Sequence, residues 1–199
     1  HREIRYLLTP VNYLHSLYVL AADLTVAPAY AEPIGEDAAK GQQWAGVKRP
    51  VVTVLVVGET ARADHFSLGG YERETNPRLG AEDSVYFSGV RYCGTATRVS
   101  LPCMFSDLGR EGYSKGEAKR REGLLDVLNH AGIRTVWLDN NAGCKGVCNH
   151  APTWTAAGLN IEGLCADGEC FDAVLLDAME KEIAGSTEDT VIVLHQIGS

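Results

Sequence analysis

The sequence predicts an α/β domain built on a mainly parallel sheet with helices on both faces. Three observations carry this. Residues 51–57 are an almost unbroken β-branched run closed by Gly58, the pattern of a strand buried on both faces. Residues 133–138 and 190–194 are two further apolar runs of the same kind. Helical stripes separate these runs, and strands alternating with helices give a parallel sheet.

The elements follow in chain order. Residues 1–47 stand apart from the rest. Arg5-Tyr6-Leu7-Leu8 and the stretch from Val11 to Ala22 are apolar and aromatic, and Asp23 interrupts them. Pro28, Pro33 and a small-residue stretch over 38–46 come next. This reads as a short amphipathic helix and a linker. The helix either packs on the domain edge or lies beside a membrane, where Tyr and Trp are favoured. No charged face decides between the two. Residues 85–92 alternate less cleanly and predict a shorter strand or edge. Ser114-Lys115-Gly116-Glu117 has capping-box spacing. Leu124, Leu125, Val127 and Leu128 form a helical stripe that Gly132 can stop. Phe171, Val174, Leu175, Ala178, Met179 and Ile183 form another, closed near Gly185.

Composition bounds the function. The chain has 199 residues, 45% hydrophobic and 22% charged, which excludes a disordered chain and fits one domain with an appendage. Its net charge is -8, with no basic tract, so nucleic acid is not an expected partner. No apolar run reaches the roughly 18 residues of a membrane-spanning helix. The chain starts at His1, without Met or a signal peptide, and ends directly after a strand-like run. Part of a longer protein is the expectation.

The cysteines are Cys93, Cys103, Cys144, Cys148, Cys165 and Cys170. Their near-neighbour spacing favours local disulfides, 93 with 103, 144 with 148 and 165 with 170, in an oxidising compartment such as the periplasm. The rival is a zinc site of Cys144, Cys148, Cys165 and Cys170, although neither pair has the two-residue gap of common zinc knuckles.

Ligands of parallel sheets sit at the carboxyl ends of the strands. Here those ends read Gly58-Glu59-Thr60, Asp139-Asn140-Asn141 and His195-Gln196. A carboxylate just after a buried strand needs a partner, a proton or a metal, so Glu59 is a candidate ligand. Cys93 to Cys103 supplies Gly94 for a turn, then hydroxyls where a helix can begin. Helix starts bind phosphate oxygens, so Thr95, Thr97 and Ser100 are either N-caps or part of a phosphate site. Lys145 lies in the loop between Cys144 and Cys148, where it can meet a phosphate.

Together these segments resemble one family. The strings Val56-Val57-Gly58-Glu59-Thr60-Ala61-Arg62-Ala63-Asp64-His65, Gly70-Tyr71-Glu72-Arg73, and Cys93-Gly94-Thr95-Ala96-Thr97 through Ser100-Leu101-Pro102-Cys103-Met104-Phe105-Ser106 are similar to those of the lipid A phosphoethanolamine transferases. That family includes the mobile colistin-resistance enzymes. Asp139-Asn140-Asn141 and Leu194-His195-Gln196-Ile197-Gly198-Ser199 extend the resemblance over residues 48–199, the expected start of a catalytic domain. Residues 1–47 look like that family's linker from its transmembrane domain.

The resemblance implies an alkaline-phosphatase/sulfatase-like α/β/α sandwich in the periplasm, tethered to the inner membrane and monomeric. It implies that Thr97 is the nucleophile, and that Glu59 and Thr97 are ligands of Zn2+. Asn141, Lys145 and Thr95 would bind the donor's phosphate. Phosphatidylethanolamine would be that donor and a lipid A phosphate the acceptor. Masking that anion would give resistance to polymyxin and colistin. The family's other zinc ligands lie in a Ser-Asp-His-Gly motif, and no Asp-His-Gly occurs in this chain; Asp64-His65 is followed by Phe66. These 199 residues alone are therefore expected to bind zinc poorly and to be inactive. His195 matches an earlier, structural histidine. A phosphatase, sulfatase or phosphodiesterase of the same superfold, and a non-catalytic binding domain, are the competing readings.

Overall fold

The computed structural model describes residues 11–25 and 32–198, and the chain divides into two units, His1–Glu32 and Pro33–Ser199. In the first unit, helix α1 (Val11–Thr25) takes up the aromatic stretch. Its Tyr13, Leu14, Leu17 and Tyr18 are exposed. No helix among the described residues is long and apolar enough to cross a membrane. The Arg5-Tyr6-Leu7-Leu8 stretch and Pro28 lie outside the described residues.

The second unit carries strands β1 (Val52–Val57), β2 (Arg134–Asp139), β3 (Thr153–Thr155), β4 (Cys165–Ala166), β5 (Glu169–Cys170) and β6 (Thr190–His195). Four of them form one sheet in the order β1-β6-β2-β3, with every pair parallel. β6 lies inside the sheet, and Ile192 and Val193 on it are fully buried. Side chains alternate across its two faces. Val136, Leu138, Ile192 and Leu194 pack on Val174, Leu175 and Ala178 of one helix (Val174–Gly185). On the other face, Val57, Trp137 and Val193 pack on Leu101 and Phe105, at a helix spanning Thr97–Met104, and on Leu125 of another, Leu124–His130. In chain order these three helices are α2 (Thr97–Met104), α3 (Leu124–His130) and α4 (Val174–Gly185). The result is the expected helix-sheet-helix sandwich.

Several local expectations change. β1 is not buried on both faces: it is the outer strand of the described sheet, and Val54, Leu55 and Val56 are exposed, leaving Val57 as its buried residue. Residues 85–92 form no strand. Val85, Phe87, Val90 and Tyr92 are well exposed, so they lack the packed surface that makes such residues favour a strand. Ser114 Oγ does accept from Glu117 N–H, at 3.2 Å, but it starts only the single turn Lys115–Ala118. α3 begins afresh at Leu124, where Asp126 Oδ2 accepts from Gly123 N–H at 2.9 Å. Gly132, at φ +70°, ends that helix as expected. In the last stripe, Phe171 precedes α4 and is exposed, while Leu175 is buried.

The three disulfides are the local ones, Cys93–Cys103, Cys144–Cys148 and Cys165–Cys170, which removes the four-cysteine zinc reading. The last closes the β4-β5 hairpin, whose turn residues Asp167 and Gly168 both have positive φ. The linker-like stretch over 38–46 belongs to the second unit, where Lys40 Nζ meets Asp189 Oδ2 at 2.6 Å. Asp189 also accepts from Val51 N–H, at 2.8 Å, fixing the entry to β1. Leu175 is 1% exposed in the α4 core, so Leu175→Ala is expected to cost about 2–5 kcal/mol of stability, read from the midpoint shift in urea unfolding.

Candidate active site

The sheet register brings the three candidate strand ends to one level. Val57 of β1 and Asp139 of β2 both pair with His195 of β6. Gly58-Glu59, Asn140-Asn141 and Gln196 therefore leave the sheet side by side. Gln196 N–H donates to Val57 O at 3.0 Å, and Asn140 N–H to His195 O at 2.9 Å.

Thr97 and Glu59 meet here across 38 residues of sequence. Thr97 Oγ1 donates to Glu59 Oε2 at 2.9 Å. Thr97 opens α2 behind Ala96, which is the N-cap and gives no side-chain bond. None of Thr95, Thr97 and Ser100 is thus the N-cap of this helix, and the Thr97 hydroxyl is directed to Glu59. Val99 N–H already donates to Ala96 O at 2.8 Å, so the positive end of α2 lies at the N–H groups of Thr97 and Arg98. Thr95 is exposed just before this turn.

Beneath the loops lies a buried polar cluster. His195 is 1% exposed, and its Nδ1 lies 2.7 Å from Asp139 Oδ1. Trp137 Nε1 donates to the same oxygen at 3.1 Å. Asp139 Oδ2 accepts from Asn141 N–H and Gly143 N–H, at 3.3 and 3.0 Å. Burial by itself pushes the Asp139 carboxyl up. The bonds from His195, Trp137 and Gly143 outweigh it and hold the group below its ordinary 3.8. The two oxygens of Asp139 thus join the sheet to the loop that carries Asn141.

Asn141 Nδ2 donates to Gln196 O at 2.8 Å. Lys145 adopts a positive φ of 56° within the Cys144–Cys148 loop, and its Nζ turns to Ala142 O. Both side chains therefore hold backbone of the strand-end loops. Asp64 pairs with Arg62 at 2.7 Å on the surface, and the His65 ring lies 4.8 Å from that of Tyr71, tilted by 32°.

Two oxygen donors converge at Glu59 and Thr97, half of the four positions that zinc commonly fills. A second group able to hold a metal lies elsewhere: Glu122, Asp126 and His150 each bring a ligand atom within 4.8 Å of the others. It shares no residue with the Thr97 site. Its members already have partners, since Glu122 bonds His130 and Ile34 N–H while Asp126 caps α3 and bonds His150.

The sheet order, its helix layers and a site at the strand ends define the class: the chain belongs to the Sulfatase family, whose profile matches residues 52–199. Among curated relatives, it is 44% identical to phosphoethanolamine transferase EptA of Escherichia coli K12 over 199 residues, all of this chain and 36% of that protein. It is 37% identical to phosphatidylethanolamine transferase Mcr-1 of Escherichia coli, again over the whole chain and 39% of that protein. The chain thus spans just over a third of the length of these relatives. Among solved structures, it resembles the integral membrane protein lipooligosaccharide phosphoethanolamine transferase A (EptA) of Neisseria meningitidis, with a TM-score of 0.87 and 35% identity, covering all of this chain and 37% of that one.

Sequence reasoning found the strand ends but missed how they are held. Asp139 was legible only as a strand end, and its bond to His195 depends on β2 lying beside β6. Asp172 carried no signal, since an acid just before a helix reads as a cap.

Because the folded state favours the Asp139 carboxylate, its contribution to stability is complete above pH 3.8 and is lost as pH falls below that value. Asp139→Asn is expected to lose roughly 2 kcal/mol at neutral pH and to flatten this acid limb, measured by urea unfolding across pH.

Proposed function

We propose that this chain forms the nucleophile-bearing part of a zinc-dependent phosphoethanolamine transferase. Phosphatidylethanolamine is the donor and a lipid A phosphate the acceptor. The observation that carries the reading is the Thr97–Glu59 hydrogen bond at the start of α2, in a chain 44% identical to a phosphoethanolamine transferase. The likeness to an integral membrane relative supports an inner-membrane protein whose catalytic domain faces the periplasm, and the three disulfides fit that compartment. A monomer is the working assembly.

Two half-reactions follow. The Thr97 oxygen attacks the phosphorus of phosphatidylethanolamine as the bond to the glycerol oxygen breaks. Diacylglycerol leaves with a proton, and phosphoethanolamine stays on Thr97. An oxygen of a lipid A phosphate then attacks the same phosphorus. The Thr97 bond breaks and the hydroxyl regains a proton. Glu59 orients the hydroxyl by accepting its hydrogen, leaving a lone pair for the phosphorus. The positive end of α2, at Thr97 and Arg98, can stabilise the charge that builds on the phosphoryl oxygens. Asn141 and Lys145 sit on strand-end loops where they can recruit the donor phosphate. Glu59 and Thr97 would hold zinc, which when bound would supply Lewis-acid polarisation and lower the pKa of the threonine hydroxyl. The product keeps the lipid A phosphate and gains an ammonium, which lowers the net negative charge and weakens attraction of polymyxin and colistin.

Peptide mass spectrometry of the full-length protein, incubated with phosphatidylethanolamine and zinc, tests this reading. A phosphoethanolamine adduct on Thr97 is expected, and Thr97→Ala should lack it. Cleaved lipid with release of free phosphoethanolamine, and no transfer to lipid A, would favour a hydrolase instead. Because Glu59 and Thr97 provide only part of a zinc shell, the 199-residue chain by itself should hold well under one zinc per molecule after dialysis, measured by elemental analysis. Tight stoichiometric zinc would contradict that assignment.

A further inference from the structure

Asp172 takes no part in the chemistry above, yet its carboxylate is fully engaged. It lies between the β4-β5 hairpin and α4. Its Oδ1 accepts from Ile197 N–H at 2.8 Å and from Asn140 Nδ2 at 2.9 Å. Its Oδ2 accepts from Gly198 N–H at 3.1 Å. Two successive backbone N–H groups thus fork onto the two oxygens of one carboxylate, a charge-assisted arrangement. The support beneath Asp172 is also fixed. Cys165–Cys170 closes the hairpin, and Asn140 Nδ2 donates to Cys170 O at 2.9 Å as well.

The clamped loop reaches the candidate nucleophile through one more residue. Gly198 has φ +72°, and a Cβ placed there would stand 2.8 Å from Glu59 O and 3.3 Å from Glu59 Cβ. The loop backbone is therefore a wall directly behind Glu59, whose carboxylate receives the Thr97 hydroxyl. From Asp172 to Thr97 the connection is continuous: carboxylate, Gly198 backbone, Glu59, threonine oxygen.

We propose that Asp172 is a positioning residue, whose carboxylate clamps the Gln196–Gly198 backbone against Glu59 and thereby sets the aim of Glu59 on the Thr97 hydroxyl. This rests on the reading of Thr97 as nucleophile. The near-isosteric Asp172→Asn keeps one acceptor but turns an N–H donor toward a backbone N–H, which opens half of the fork. Gly198→Ala attacks the same contact from the other side.

The test uses the full-length protein. Hydrogen exchange at Ile197 and Gly198, read by mass spectrometry, should quicken about tenfold or more in Asp172→Asn, in keeping with the loss of a charged hydrogen bond. The rate constant kcat for phosphoethanolamine transfer should fall on the order of tenfold to a hundredfold, with KM for phosphatidylethanolamine little changed. Gly198→Ala should act alike, and the double variant should be little worse than either single one, because both release one loop. Additive losses, exchange that does not change, or faster exchange with unaltered kcat would each overturn the proposal. If the wild-type protein transfers nothing, the functional reading fails on its own. The clamp is then judged by crystal structures: Glu59 displaced from Gly198 in Asp172→Asn supports it, and an unmoved Glu59 overturns it.

Discussion

The position of β6 between β1 and β2 is the constraint from which the site follows. One residue, His195, pairs with Val57 on one side and with Asp139 on the other. That register fixes the level at which three loops leave the sheet. A one-residue slip of β6 would turn His195 away from Asp139 and swap Ile192 and Val193, both fully buried, between the two helix-covered faces, breaking the packing on each. Packing therefore enforces the register, and the register places Glu59, Asn141 and Gln196 together.

Above the sheet, short-range restraints take over from packing. The strand-end loops have little apolar side chain to bury, so hydrogen bonds and disulfides hold them instead. Asp139 grips the Asn141 loop, Asn141 grips Gln196, and disulfides close the loops around Lys145 and before Asp172. The Asp139 bond and the two disulfides each span five residues or fewer, and the Asn141–Gln196 bond crosses 55 residues to join the β2 and β6 strand ends. Such a scaffold suits a site whose donors must be held before substrate arrives.

The fold was readable in the sequence wherever burial on the sheet interior set the residue pattern. Residues 133–138 and 190–194 read as buried strands because helices cover both of their faces. β1 has the same composition but an exposed surface, and its β-branched residues do not record which side lacks a neighbour. Residues 85–92 misled for the same reason, since apolar side chains alone do not make a ladder. β3 was too short to show a period. The hairpin did leave a signal, Asp167-Gly168 between Cys165 and Cys170, the dipeptide of a tight turn. Within the site, Glu59 was a candidate from its position after a strand, while Thr97 was one of three hydroxyls near a helix start and was singled out only by the family resemblance. Their contact, and the partners of Asp139 and Asp172, arise from tertiary placement, which local sequence does not encode.

The bare side of β1 bears on handling and folding. Its six residues read Val-Thr-Val-Leu-Val-Val, without charge, proline or glycine. Among the described residues β1 is an edge, and an edge of that composition is a template for strand addition from another molecule, the first step toward aggregated cross-β assemblies. For a newly synthesised chain, such a strand is a place where intermolecular pairing can compete with folding.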